Sequence, residues 1–451
     1  MKKRFLSLLL LLTLLVAAFP GINAEAASFN INFTPTCESI ELVNLDTNTV
    51  VYSKNPTEKR EPASITKIMT FIIASEHIDN LKGTNITVSK KVINELLGTG
   101  SSLSNIKAGD VLSAYQLLNC MMVPSGNDAA LVLADYVGGG DVAKFVDMMN
   151  AKAKALGCTG THFANPHGLH DANHYTTAAD LVKITEYAMS LPYFMQITSQ
   201  TRYSYSPVGG SDAGKNRLLV TTNYMIDKTL AGGKYYYKYA KGIKTGHTDE
   251  SGYCLISSGS ADGYSYLCVA LGAPSVDAKG KKVSTRGEML DSAALYRWAL
   301  TSLSMKKVVS AGENVGEVQL KYAWNKDSLL LTAQKDCEAV LPKDVSVSSI
   351  IVKKDIPKYV KAPVKKGDVV GTATYSYADQ KLATINLVAS ESVGRSELLH
   401  TTDVIKSIFT SVWFIVFFSI IVLLIAVYIV LAVIYNRKKK KLRKVKKYRK
   451  M

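Results

Sequence analysis

Residues 62–74, PASITKIMTFIIA, decide how this chain folds. Their apolar members recur at the i, i+3, i+4, i+7 spacing that buries one stripe of an α-helix, and a proline suits the first turn of such a helix. Ser64 and Lys67 stand three residues apart, so their hydroxyl and amine lie on the same face. A poorly solvated lysine loses its proton readily and can then accept the proton of a serine nucleophile. We therefore predict a core helix that Ser64 opens, with Lys67 as the base beside it.

The Ser-x-x-Lys spacing is weak evidence alone, because it also occurs at residues 104–107 and 304–307. Two further motifs follow it, Ser-Gly-Asn at residues 125–127 and Lys-Thr-Gly at residues 244–246. In this order the three are the signatures of penicillin-interacting serine enzymes. Taken singly, the second motif is equally a helix-capping turn and the third an ordinary turn.

The sequence around these motifs carries a closer resemblance. It is found in EPASITKIMT at residues 61–70, PSGNDAA at 124–130, FANPHGL at 163–169 and KTGHTDESGYCL at 244–255. In these segments the chain resembles the serine-type D-alanyl-D-alanine carboxypeptidases, the low-molecular-mass penicillin-binding proteins of peptidase family S11, over nearly the whole mature chain. The resemblance implies an α+β, β-lactamase/transpeptidase-like domain, in which helices cover the faces of an antiparallel sheet. It also implies that β-lactam antibiotics inhibit the protein.

The resemblance assigns roles to individual residues. Ser64 attacks the carbonyl that joins two D-alanines of a peptidoglycan peptide, Lys67 takes its proton, and Ser125 relays a proton to the leaving amine. Water then hydrolyses the acyl-enzyme. The implied substrate-binding residues are Asn127, Lys244, Thr245, Gly246, His247, Thr248 and Arg286. The backbone N–H groups of Ser64 and His247 would form the oxyanion hole. Arg286 is the loosest assignment, since it could equally be a helix-surface charge.

Two other groups of residues admit more than one interpretation. Four of the seven histidines lie close together, at His162, His167, His170 and His174. Their spacing would suit zinc, but the sequence has no His-Glu-x-x-His, and the segment 163–169 matches a loop beside the cleft in the resembling family. We expect neither a metal nor a cofactor. The tyrosines at residues 235–237 and 239 form either an exposed sugar-binding patch or the packing of a long loop.

Both ends of the chain have the character of membrane segments. Residues 1–26 combine a basic start, an apolar run and a small-x-small site, as a secretory signal peptide does. Residues 407–435 contain no charged side chain and predict a transmembrane helix, and residues 436–451 form a basic cytoplasmic tail. We therefore expect a single-pass protein of the cell membrane with its catalytic domain on the extracytoplasmic face.

The charge of the chain is concentrated at these ends. The formal net charge is +17, but the body between them is nearly neutral. The tail is therefore expected to attract anionic lipid, and we expect no nucleic-acid partner. Between the ends we predict a catalytic domain over residues 27–305 and a β-rich domain over residues 306–400, where short β-prone runs alternate with Gly, Pro and Asp turns.

The sequence leaves several alternatives open. The same motifs could serve an endopeptidase or a transpeptidase, which differ in the acceptor of the acyl group. A membrane sensor that penicillin acylates, with little turnover, is another possibility, although a short basic tail offers no effector domain. Cys254 and Cys268 could face each other across a hairpin, or be small buried residues.

Overall fold

The computed structural model describes residues 29–277, 279–378 and 380–448, and the predicted signal peptide of residues 1–26 lies outside them. The chain divides into two compact units. The first comprises the residues up to Lys307 with Glu338–Ile351 and Ser376–Leu382, and the second comprises Val308–Cys337, Val352–Tyr375 and the residues from Ala383 onward. The predicted domain boundaries at residues 305 and 400 stay predictions.

A five-stranded antiparallel sheet forms the centre of the first unit. The strands before residue 300 are β1 (Ser39–Asn44), β2 (Thr49–Lys54), β3 (Asn85–Thr87), β4 (Val111–Ser113), β5 (Arg202–Tyr205), β6 (Arg217–Val220), β7 (Ala240–Thr248), β8 (Gly252–Ala261) and β9 (Tyr264–Ala273). The sheet order is β2-β1-β9-β8-β7, so the first hairpin pairs with strands from the far end of the unit. This order leaves β7 as an edge strand.

Helices cover both faces of this sheet. They are α1 (Lys67–His77), α2 (Lys90–Glu95), α3 (Ala114–Met122), α4 (Asn127–Gly138), α5 (Val142–Ala155), α6 (Ala178–Met189), α7 (Phe194–Thr198) and α8 (Gly287–Ser302). Alternate residues of a strand point to opposite faces. On β9, Leu267 and Val269 join the large core that the helices before residue 200 share, while Cys268 contacts Ser292 of α8.

The predicted core helix is present, with two differences from the expectation. Ser64 lies in a 3-10 turn, Ala63–Thr66, and α1 begins only at Lys67. The prediction of one buried stripe is wrong, because every residue from Lys67 to Ala74 is buried. Helices packed around α1 leave residues 67–74 no solvent face, and the apolar periodicity of the sequence does not show this.

Two glycines let neighbouring segments close on the turn that carries Ser64. Gly168 has a φ of 89°, and a Cβ atom built on it would overlap the carbonyl group of Ala63. A Cβ atom on Gly246 of β7 would lie 2.9 Å from the carbonyl oxygen of Pro62 and 3.2 Å from Ala63 Cβ. The turn is therefore held between the loop at residue 168 and the edge strand.

The six cysteines are all buried thiols. The alternative in which Cys254 and Cys268 face each other is wrong, because Cys268 is opposite Ser257 in the β8–β9 register and Cys254 lies three residues away along β8. A register shift between Tyr253 and Leu255 accompanies this pairing. The alternative, that both residues are small buried side chains, is confirmed.

The chain from residue 303 is rich in strands. They are β10 (Leu303–Val309), β11 (Asn314–Lys321), β12 (Ser328–Ala333), β13 (Cys337–Pro342), β14 (Ile351–Asp355), β15 (Tyr359–Lys361), β16 (Val369–Tyr377) and β17 (Gln380–Ala389). Six of them form a sheet in the order β14-β16-β17-β12-β11-β15. The expected all-β region is thus present.

Two helices end the described chain, α9 (Glu397–Phe409) and α10 (Val412–Tyr448). Among the described residues, one helix is long and apolar enough to cross a membrane, over Val412–Lys440. It starts later than the predicted Ser407, because Ser407 belongs to α9, which ends at Phe409 with Thr410 as its C-cap.

We expect Gly168→Ala to destabilise the protein far more than Gly263→Ala. Both glycines have a positive φ, which costs an alanine about 1–2 kcal/mol, but a Cβ atom on Gly263 in the β8–β9 turn meets nothing within 4 Å. At Gly168 the backbone must also move away from Ala63, which adds about 1–3 kcal/mol, for a total of about 2–5 kcal/mol. Thermal unfolding of the full-length protein in detergent would measure the difference. Equal losses for the two variants would contradict the close packing at Gly168.

Candidate active site

The amine of Lys67 is completely buried at the start of α1. Its Nζ atom lies 2.8 Å from Ser64 Oγ. The same nitrogen donates to Asn127 Oδ1 at 2.6 Å and to the backbone carbonyl of His167 at 2.7 Å. These two oxygens can only accept hydrogen bonds. The structure therefore brings residues of the first two motifs and the loop at residue 168 into one hydrogen-bonded cluster.

The surroundings of Lys67 favour its neutral form. Burial lowers the pKa of Lys67 well below its usual value, and the charge of Lys244 lowers it further, while Asp128 acts in the opposite direction. Lys244 is also buried, and burial together with the charge of Arg286 lowers the pKa of Lys244 to about 7. A chain of positive groups thus extends from Arg286 to the amine beside Ser64.

The second motif forms a tight turn before α4. Ser125 is buried with a φ of 69°, and Asp128 fixes the turn by accepting from the N–H of Ser104 at 2.9 Å and from its hydroxyl at 2.8 Å. The motif does begin α4, with Gly126 as the N-cap and no side-chain cap, but it is more than a helix-capping turn because the Asn127 side chain is directed to Lys67. Among the described residues the Ser125 hydroxyl has no hydrogen-bond partner. Its role in proton relay stays a prediction.

The third motif lies on β7, the edge strand beside the Ser64 turn. Lys244 Nζ donates to the carbonyl of Thr245 at 2.8 Å. The Thr245 hydroxyl is 2.5 Å from the Thr222 hydroxyl, and this hydrogen bond orients the Thr245 side chain. Gly246 has no side chain to separate the strand from the turn. The motif is therefore part of the wall of the site and not an isolated turn.

The end of β7 carries the last two residues predicted on this strand. His247 is exposed, and its ring stacks on Tyr253 of β8 with centroids 4.5 Å apart. The Thr248 hydroxyl accepts from the N–H of Ser251 at 3.0 Å and thereby shapes the β7–β8 turn. Thr248 thus has a structural role in the turn, and its contribution to substrate binding stays a prediction.

Arg286 is held in place by an ion pair and by two aromatic rings. Its Nε donates to the buried carboxylate of Glu288 at 2.7 Å, and its guanidinium lies over the rings of Tyr253 and Tyr224, 4.7 Å and 5.5 Å from their centroids. The side chain is only 16% exposed, so the alternative of a helix-surface charge is wrong. Glu288 is a site residue that the sequence analysis missed, and no motif marks it. Contact between Arg286 and a substrate carboxylate stays a prediction.

The four clustered histidines do not converge on one point. His162 and His170 are exposed, while His167 and His174 are buried, and each makes its own polar contacts. Burial lowers the pKa of His167 to about 3 and that of His174 to about 4, so both rings are neutral at pH 7. Within the described residues these four rings form no common ligand set.

His174 instead supports the Ser64 turn. Its Nδ1 accepts from the backbone N–H of Ala164 at 3.0 Å, so the proton is on Nε2, which lies 2.7 Å from Thr66 Oγ1. The Thr66 hydroxyl donates in turn to the carbonyl of Ala63 at 2.8 Å. Sequence reasoning missed this role, because it considered His174 only as a member of the histidine group.

The tyrosine-rich segment before β7 is mainly a packing element. Tyr235 is buried and its hydroxyl accepts from the N–H of Arg286 at 3.2 Å. Tyr237 stacks on Tyr296 of α8, with ring centroids 6.1 Å apart. Tyr236 is exposed. The segment thus supports the position of Arg286 more than it offers a flat aromatic surface.

Two family models match this chain. Residues 27–275 match the model described as D-alanyl-D-alanine carboxypeptidase, Peptidase S11. Residues 303–395 match the C-terminal domain of penicillin-binding protein 5.

Relatives of known name cover most of the chain. The D-alanyl-D-alanine carboxypeptidase DacF of Bacillus subtilis is 28% identical over 400 residues, which are 87% of this chain and 95% of that protein. DacD of Escherichia coli is 30% identical over 390 residues, 84% of this chain and 93% of its own length.

The fold agrees with these sequence matches. The crystal structure of penicillin binding protein 5 from Haemophilus influenzae aligns with a TM-score of 0.63 and 25% identity over 81% of this chain and 100% of that one. The predicted fold, an α+β catalytic domain followed by a β-rich domain, is confirmed. The chain therefore belongs to Peptidase S11, the family of serine D-alanyl-D-alanine carboxypeptidases.

Proposed function

We propose that this carboxypeptidase removes the terminal D-alanine of peptidoglycan stem peptides through an acyl-enzyme on Ser64. The observation that carries the proposal is the position of Lys67 Nζ, 2.8 Å from Ser64 Oγ and otherwise surrounded by acceptors. A neutral amine has two hydrogens and one lone pair. When Asn127 Oδ1 and the His167 carbonyl take the two hydrogens, the lone pair is left for the Ser64 hydroxyl.

The reaction then proceeds in two steps. As Ser64 Oγ bonds to the carbonyl carbon of the penultimate D-alanine, its proton passes to Lys67. The C–N bond to the last D-alanine breaks, and a proton reaches the leaving amine through Ser125. Water next attacks the ester and returns Ser64 to its hydroxyl form. β-Lactam antibiotics would acylate the same oxygen by opening their strained amide.

The positive groups around the cleft suit the free carboxylate of the substrate. Thr245 supplies a hydroxyl, and Lys244 and Arg286 supply the field that attracts an anion. The backbone N–H groups of Ser64 and His247 are the proposed oxyanion donors, on the turn and the edge strand that Gly246 allows to meet. An enzyme with these groups prefers a peptide that ends in a carboxylate.

We propose that α10 anchors the protein in the cell membrane with the catalytic unit outside. The span Val412–Lys440 has 29 residues, about 44 Å of helix, against a hydrocarbon core of about 30 Å. The eleven basic residues after Tyr435 favour the cytoplasmic side.

We expect Ser64→Ala to lower D-alanine release from a D-Ala-D-Ala tripeptide by more than about 1,000-fold, and to abolish covalent labelling by penicillin, because no nucleophile remains. The full-length protein in detergent would be assayed beside Ser304→Ala, which alters another Ser-x-x-Lys pair and should retain both activities. Release that persists in Ser64→Ala would refute the assignment. Labelling without release in the wild type would favour the sensor or transpeptidase alternatives.

A second expectation concerns pH. Lys67 acts as a base only when neutral, so acylation is lost as the pH falls through its pKa. Lys244→Gln removes a charge that lowers the pKa of Lys67, and the acidic limb of the pH profile should move to higher pH. The rate of acylation by a fluorescent penicillin would be measured across pH, with the exposed Lys241→Gln on the same strand as control. An unmoved limb in Lys244→Gln would show that Lys67 is not the titrating group.

A chain that ends after Ser411 should leave the membrane in alkaline carbonate, whereas the full chain stays, because the truncation removes the whole apolar helix. A chain that ends after Lys440 loses only the last part of the basic tail, residues 441–451, and should also stay. Immunoblots of pellet and extract would compare the three. Retention of the shortest chain in the pellet would show that another segment inserts into the bilayer.

A further inference from the structure

Three side chains converge at the rim of the cleft, and the proposed reaction uses none of them. Glu61 precedes the Ser64 turn, His170 follows the loop at residue 168, and Glu250 lies in the β7–β8 turn. One ligand atom from each lies within 4.8 Å of the other two. His170 Nδ1 is 2.9 Å and 3.0 Å from the two carboxylate oxygens of Glu61.

The backbone positions of these residues are set by close packing. Gly168 and Gly246 touch the segment 62–63 so tightly that neither position has room for a Cβ atom. Glu61 and His170 are within two residues of these contacts, and Glu250 is four residues beyond Gly246. The three segments therefore hold the side chains near one another before any ligand arrives, which lowers the entropic cost of binding.

We propose that Glu61, His170 and Glu250 form a binding site for a divalent transition-metal ion, with Zn²⁺ as its best fit. One imidazole nitrogen and two carboxylate oxygens are a ligand set that zinc accepts, and three protein ligands leave a fourth position for water. Tetrahedral zinc ligands at about 2.1 Å lie about 3.4 Å apart, so the side chains need only small rotations. Two of the three side chains, those of His170 and Glu250, are exposed and can make these rotations.

The charge of the group also suits a dication. Without a metal, two carboxylates share one imidazole, and Asp171 adds a further negative charge beside His170. His247 lies near Glu250, and the partial burial of its ring together with the positive charge of Arg286 lowers its pKa. A bound dication would neutralise both glutamates and connect the three segments around the Ser64 turn.

Zinc titration of metal-stripped, full-length protein in detergent, prepared without a histidine tag, tests the proposal. Calorimetry should give one Zn²⁺ per chain, Co²⁺ should give the absorption bands of a bound ion, and zinc should raise the thermal midpoint. His170→Ala and Glu250→Gln should weaken binding at least tenfold and abolish the rise. Mg²⁺, which prefers six oxygen ligands, should not replace zinc.

His162→Ala is the matched control, since it removes an exposed histidine of the same loop region and should bind zinc as the wild type does. Melting curves without metal would establish that every variant folds. If zinc bound to the buried cysteines instead, the His170→Ala and Glu250→Gln variants would bind it as tightly as the wild type does. Unchanged affinity in these two variants, or no saturable binding in the wild type, would overturn the proposal and leave Glu61 and His170 as a simple ion pair.

Discussion

The interaction on which the catalytic unit depends is the burial of one amine, Lys67 Nζ, among three oxygen atoms from three parts of the chain. A buried charge without a counter-ion is costly, so the site stabilises the neutral form of the amine. The two hydrogens of that amine form hydrogen bonds with Asn127 Oδ1 and with the His167 carbonyl. Lys244 strengthens this preference from the edge strand. The fold thus makes Lys67 a base by excluding water from its amine and by placing a positive charge nearby. Among the described residues no buried carboxylate is in hydrogen-bond contact with that amine.

The parts of the site that the sequence predicted are those that depend on local spacing. Ser64 and Lys67 meet because three residues of helical chain bring them together, and the other two motifs could be recognised by their order. The His167 carbonyl could not be predicted in the same way, because a backbone oxygen leaves no trace in the residue type. Glu288 was missed for a related reason, since its effect on Arg286 depends on burial that the sequence does not display.

The errors in the fold prediction have equally specific causes. Apolar spacing identified α1 but not its complete burial, which depends on helices that are distant in sequence. The facing arrangement of Cys254 and Cys268 requires a five-residue turn over residues 259–263, whereas β8 and β9 continue to Ala261 and Tyr264, so the shorter turn sets a register that places Cys268 opposite Ser257. The break between α9 and α10 could not be predicted, because an uncharged stretch shows no sign of the helix end at Phe409.

The same close packing that positions Ser64 also links it to the rim. Ala63 lies between Gly168 and Gly246 with no space for a methyl group on either, so a displacement of the loop or of β7 has to be taken up by the turn. That turn includes Ser64 and Thr66. The Thr66 hydroxyl bonds to the Ala63 carbonyl and to the ring of His174, and these two hydrogen bonds support the turn. Packed interiors transmit such displacements because they compress little. A contact that displaced the loop at residue 168 or β7 would therefore change the geometry between the Ser64 hydroxyl and the Lys67 amine.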